Sequence, residues 1–167
     1  MNIKKIISWI FVLLWMIVIF WFSAMPSNES NHKSKKTITK VIEETVKTTN
    51  KVGITDKHPS EGKKQKVTNY LNEPLRKCMH ASVYFILGLL ILNALTQSEI
   101  NGYKKYVIAI ILCILYASSD EFHQTFVNGR TGRINDVFID TIGSVIGCIF
   151  YKILSKLLRK KNNLRKS

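Results

Sequence analysis

The chain has 167 residues and a formal net charge of +14. Its mean hydropathy of +0.05 averages four almost purely apolar runs against polar, basic segments, which excludes an ordinary soluble core. The basic residues flank the apolar runs and accompany no nucleic-acid-binding motif, so the charge reads as a topology signal and as contact with anionic lipid, not as a nucleic-acid surface.

The fold expected is an all-α membrane protein with four transmembrane helices at about 6–25, 78–96, 106–122 and 134–158. A long outer first loop fills 26–77, and residues 1–167 form a single domain. The first run carries Trp9, Trp15 and Trp21 and no charge. It is longer than the roughly 7–15 apolar residues of a signal peptide, and Ser23-Ala24-Met25-Pro26 is a poor cleavage site. A retained helix ended by Pro26 and Ser27 is expected.

Within the outer loop, Ile38, Val41, Ile42, Thr45, Val46 and Val52 recur at helical spacing, with Lys36, Lys40, Glu43, Glu44 and Lys47 opposite. This fits an amphipathic helix lying on the membrane or packed on its own protein. Residues 53–69 hold Gly53, Pro59 and Gly62 and read as a link. In the second run Arg76, His80 and Tyr84 are spaced by four and share one helix face.

The third run leads directly into the densest polar stretch of the chain. Residues 118–147 pack Asp120, Glu121, His123, Gln124, Arg130, Arg133, Asp136 and Asp140 between two apolar runs. Each charge at the centre of a membrane helix costs roughly 2.5–3.5 kcal/mol, so such a cluster calls for a use. Asn128-Gly129-Arg130 reads as a tight turn presenting Arg130. On the fourth run Asp136, Asp140, Gly143 or Ser144, and Gly147 line one face. Gly143 and Gly147 make a GxxxG, which lets a neighbouring helix approach closely. Cys78, Cys113 and Cys148 have no CxxC spacing and read as small apolar fillers.

Positive-inside bias puts Lys4, Lys5, Lys104, Lys105 and the basic tail from Lys152 onward in the cytoplasm, with both termini. The basic excess of the first loop runs against this, but long segments carry less topological weight. In that topology Arg76 and His80, Asp120 to Gln124, and Asp136 and Asp140 all reach the outer level.

Four uses of the cluster stand open. Its charges can pair and fix helix register. His80, His123, Asp120 and Glu121 are metal-compatible types, but no HExxH-type spacing is present, and neither a metal nor a cofactor is expected. A His beside carboxylates can act as a general acid–base pair. Arg130 can clamp a phosphate or carboxylate with its planar fork.

At these residues the chain resembles VanZ-like membrane proteins. The resemblance is carried by Arg76-Lys77-x-x-His80-x-x-x-Tyr84, by Ser119-Asp120-Glu121-x-His123-Gln124-x-Phe126-x-x-Gly129-Arg130, and by Asp136-Val137-x-x-Asp140-x-x-Gly143-x-x-x-Gly147. It spans all four apolar runs and is strongest over 74–148. The family takes its name from a protein associated with teicoplanin resistance in Gram-positive bacteria. The resemblance therefore implies a plasma-membrane protein of the cell envelope that lowers susceptibility to teicoplanin or other lipoglycopeptides. Two departures stand out: Ala24-Met25 where the family often has Ser-Gln, and Asp140 where many members have Asn.

The first functional expectation is an accessory protein whose outer polar site holds Arg76, His80, Tyr84, Asp120, Glu121, His123, Gln124, Arg130, Asp136 and Asp140. Its partners are membrane lipid and an anionic lipid, a cell-wall precursor headgroup or a lipoglycopeptide, with a homo-oligomer compatible. The alternative is a membrane-embedded enzyme acting on such an anionic headgroup, with His80 or His123 as base. A proton- or ion-coupled carrier fits less well, because no relay of ionisable groups continues to the cytoplasmic side.

Overall fold

The computed structural model describes residues 3–51 and 61–164. Within them five helices follow in order: α1 Ile3–Ser23, α2 Ser27–Lys51, α3 Glu61–Gln97, α4 Lys104–Gln124 and α5 Ile134–Leu164. No strand forms among the described residues. Four segments of these residues are long and apolar enough to cross a membrane: Ile3–Ser23, Gln65–Gln97, Lys104–Gln124 and Ile134–Leu158.

The bundle is organised around α3, which packs against each of the other four helices. Its most extensive partner is α5. The contact is close because the facing residues are small. A Cβ at Gly143 would strike the Ala81 carbonyl, and one at Gly147 would strike the Phe85 carbonyl. From the other side, a Cβ at Gly88 would strike the Ser144 carbonyl. Backbones that approach this closely gain dispersion contacts, which lipid-facing side chains cannot supply. On α4, Ala109, Cys113 and Ala117 form a small-residue stripe, fully buried at a spacing of four. Tyr84, Leu87 and Leu92 of α3 fill the core beside them. Large side chains such as Phe11, Ile17, Leu115, Phe138 and Ile146 point outward, as they do where the solvent is lipid.

Half-buried polar groups join the helices. The Trp15 indole donates to the Val83 carbonyl at 2.9 Å, and the Tyr116 hydroxyl donates to the Met16 carbonyl at 2.6 Å. Both bonds hold α1 against its neighbours in a medium without competing water.

The structure differs from the sequence reading between residues 26 and 77. Residues 61–77, expected within the outer loop, extend α3 to 37 residues, about 55 Å at 1.5 Å per residue. That exceeds a hydrocarbon core of about 30 Å, so one end projects beyond it. Gly62 falls in the first turn, where its helix cost is small. Pro74 lacks one N–H, and the helix continues through it. The extension also has a partner: Thr68 is buried, and the Asn72 amide donates to the Asn31 side chain of α2 at 3.2 Å. Along α2, Ser34 and Ile38 are buried, and Ile42 and Val46 are half-buried, but Val41 and Thr45 face outward. The helix thus packs a narrow stripe on its own protein. Val52, Gly53 and Pro59 lie outside the described residues.

Candidate functional site

One end of the bundle gathers the polar residues of four segments: the last turn of α1, the middle of α3, the end of α4 with its following loop, and the start of α5. Asp120, Glu121 and Gln124 are buried because positions 120, 121 and 124 share the α4 face turned toward the bundle. The Gln124 amide donates to the Ser23 hydroxyl at 2.9 Å and to the Asp120 carboxylate at 3.2 Å. Ser23 is fully buried, so the end of α1 is fixed on α4 by a bond shielded from water.

The loop after α4 turns back sharply. The Arg130 N–H donates to the Val127 carbonyl at 3.0 Å, and Gly129 takes the positive φ, 75°, that this tight turn demands. Arg130 is thereby swung toward α1, where its guanidinium reaches the Phe22 carbonyl at 3.5 Å. Its Nε is buried and has no hydrogen-bond partner among the described residues. Burial pulls the Arg130 pKa below the usual arginine value, and the nearby Arg76 pulls it further, while Asp120 and Glu121 oppose this. The group stays charged, because arginine starts far above neutral pH.

A cavity lies between α3, α4 and α5. Arg76, Lys77, His80, Glu121, Asp136 and Asp140 line it, with Ile139. It offers about 20 Å³, room for one water molecule. Glu121 is held at its rim, since one carboxylate oxygen accepts the Arg133 main-chain N–H at 2.9 Å. Asp140 is fully buried, and neither of its carboxylate oxygens has a hydrogen-bond partner among the described residues. One oxygen each of Asp120 and Asp136 and the Tyr84 hydroxyl are likewise buried and unpartnered among the described residues. Such groups are costly unless a proton, a water molecule or a ligand group meets them.

Beside the cavity, and sharing Arg76 and His80 with it, a groove of about 490 Å³ runs between α1, α2 and α3. Arg130 lines it too. Its other walls are mostly apolar.

The structure thus brings Arg76, His80, Glu121, Asp136 and Asp140 around one cavity, sets Tyr84, Asp120 and Gln124 in the buried layer next to it, and places Arg130 in the groove. It does not bring His123 to either space. That ring stacks on Phe20 with centroids 4.5 Å apart. Position 123 lies well round the α4 helix from the face that carries Glu121. Sequence reasoning missed Ser23 and Glu73. Glu73 pairs with Lys77 at 3.2 Å and with Arg133 at 3.3 Å on the surface. The Ser144 hydroxyl sits between the carbonyls of Asp140, at 3.0 Å, and Tyr84, at 3.2 Å. The signal for Ser23 is its place one turn after Ile19 on the buried stripe of α1.

Among the described residues, no group of three or more His, Cys, Asp or Glu side chains is arranged to hold a metal ion. The arrangement can instead bind an anion at its arginines and hold or pass a proton among His80 and the carboxyls.

The family model described as VanZ/LLP1 matches residues 8–155, nearly the whole chain. No curated protein and no solved structure matches it. The chain belongs to the VanZ/LLP1 family.

Proposed function

From membership of the VanZ/LLP1 family and from the recess at one end of the bundle, we propose that this is an envelope protein of the bacterial plasma membrane. Its polar end faces the outer leaflet and engages an anionic amphiphile there: an anionic lipid, a cell-wall precursor headgroup or a lipoglycopeptide. The consequence is lowered susceptibility to teicoplanin. The orientation is supported by Lys4, Lys5, Lys104, Lys105 and Lys152, which sit toward the opposite end of the spans from Arg76, Glu121 and Asp136.

The observation that carries this reading is the convergence of Arg76 and Arg130 on one mostly apolar groove, at the edge of the carboxyl-lined cavity. Cationic forks beside apolar walls suit a ligand with a charged head and a hydrocarbon tail. Teicoplanin carries a lipid tail and reaches the membrane surface; vancomycin lacks one. Expression in a susceptible Gram-positive host therefore raises the inhibitory concentration of teicoplanin more than that of vancomycin. Equal shifts reduce the role to a general envelope effect, and no shift removes the resistance reading.

A second reading is favoured by a separate observation. His80 stands with Glu121, Asp136 and Asp140 around a space for one water molecule. That is the layout of a general acid–base site in an enzyme acting on an anionic headgroup at the arginines.

A further inference from the structure

We propose that the groove between α1, α2 and α3 is a binding site for a phosphate-bearing membrane lipid, with the phosphate between Arg76 and Arg130 and one acyl chain along the apolar wall. This rests on the reading above that the polar end engages an anionic amphiphile, and it names the ligand's chemistry and seat.

The cationic end of the groove has no acidic side chain in its own lining. Arg76 and Arg130 lie close enough to repel each other. Neither forms an ion pair among the described residues. Two guanidinium groups held together against repulsion, one with a buried unpartnered Nε, are stabilised by an anion that accepts from both. A phosphate has the oxygens to accept two forks at once; a phosphate monoester, with more charge than a diester, gains most. His80, at the same end, adds a further donor.

Asp120 and Glu121 act on Arg130 from a distance and form no ion pair with it among the described residues. Glu121, Asp136 and Asp140 open on the small cavity behind Arg76 and His80, and none of them reaches the groove. The two spaces share Arg76 and His80, and acidic side chains line only the cavity, which favours an anion on the groove side.

The rest of the groove fits a hydrocarbon chain. Ile19, Phe22, Met25, Leu75, Met79 and Val83 line it. Its volume of about 490 Å³ lies within the roughly 300–1,000 Å³ of small-ligand sites. Ser34 and Thr37 of α2 close it on the side away from the bundle core. Methionines at two positions let the wall adapt to chains of different length.

The test is native mass spectrometry of the full-length protein released from detergent, titrated with phosphatidic acid, phosphatidylglycerol or phosphatidylcholine. Phosphatidic acid is expected to bind most tightly and phosphatidylcholine least. Arg76→Gln and Arg130→Gln each weaken phosphatidic acid by about tenfold or more, the loss of one charge-assisted contact. Ser82→Phe, which fills the groove without changing charge, weakens it as well. Lys36→Gln, an exposed residue outside the groove, leaves it unchanged. Should an arginine variant fold poorly, Ser82→Phe and the headgroup ranking still decide. Equal binding of all three lipids, full binding by Ser82→Phe, or an equal loss in Lys36→Gln overturns the proposal. Glycerol phosphate competing as well as the whole lipid also overturns it, because the chain then contributes nothing. Teicoplanin protection that survives in variants without lipid binding leaves the lipid site standing and overturns the reading that protection works through it. Lipid binding without any protection overturns the resistance reading alone.

Discussion

The main-chain N–H of Arg133 donates to the Glu121 carboxylate at 2.9 Å, so a residue at the end of α4 holds the entrance to α5. Gly132 makes this possible, since a Cβ there would sit 2.6 Å from the Glu121 carbonyl oxygen. The same carboxylate lines the cavity, which joins loop geometry to the chemistry of the site.

Two substitutions separate these roles. Glu121→Ala leaves the Arg133 N–H without its acceptor and costs about 1–3 kcal/mol, read as a lower unfolding midpoint in detergent. Glu121→Gln keeps an acceptor oxygen of the same reach and unfolds near the native midpoint. If Glu121→Gln is fully stable yet abolishes protection, the carboxyl group acts through its charge or proton and not through the loop.

His80→Gln and Arg130→Lys distinguish catalysis from binding. Lysine keeps the charge of Arg130 but not the planar fork, so a bidentate anion contact weakens sharply. Glutamine at 80 still hydrogen-bonds but cannot transfer a proton near neutral pH, and an enzyme using His80 as base slows by on the order of a hundredfold or more. The expected result is loss of protection in Arg130→Lys with protection retained in His80→Gln, both at normal membrane abundance. Loss in both favours the enzymatic reading; retention in both removes the site.

The α3–α5 contact predicts a steep size dependence. Gly143→Ala and Gly147→Ala drive a methyl into the Ala81 and Phe85 carbonyls, and forcing the backbones apart costs about 1–3 kcal/mol each. Ile146→Ala, on the lipid-facing side of the same helix, leaves abundance and unfolding nearly unchanged. Equal tolerance at 143 and 146 contradicts the close packing.

Orientation is checked by cysteine labelling of intact cells in a background without Cys78, Cys113 and Cys148. A cysteine at Lys47 is expected to react with an impermeant reagent, and one at Lys161 only after lysis; both side chains are exposed. Labelling of position 161 from outside inverts the topology and takes the polar end to the cytoplasm.

The four spans are legible in the sequence because hydrophobic length is a direct physical requirement of the bilayer. The α3 extension is not. Residues 61–77 have no apolar periodicity strong enough to announce a helix, and Gly62 and Pro74 argue against one. What stabilises it is partly α2, through Asn31 and Asn72, a relation between segments that are 41 residues apart. In the site, helical spacing alone puts Arg76 with His80, and Asp136 with Asp140, on shared and usable faces. His123 draws attention by its residue type and its neighbours, although its position on α4 turns it away from Glu121 and toward Phe20. Ser23 is an ordinary serine in the sequence, and its importance lies in the bond that Gln124 makes to it.

The central place of α3 also sets an order of assembly. Among the described residues no close backbone approach joins α1 to α2, or either of them to α5. As the chain emerges, the first two helices therefore lack a packing partner until α3 is made. The third supplies the first packed pair, and α4 and α5 then close on it. A nascent chain halted before residue 61 should stay as sensitive to added protease as an unpacked helix, and protection should begin only once α3 is complete.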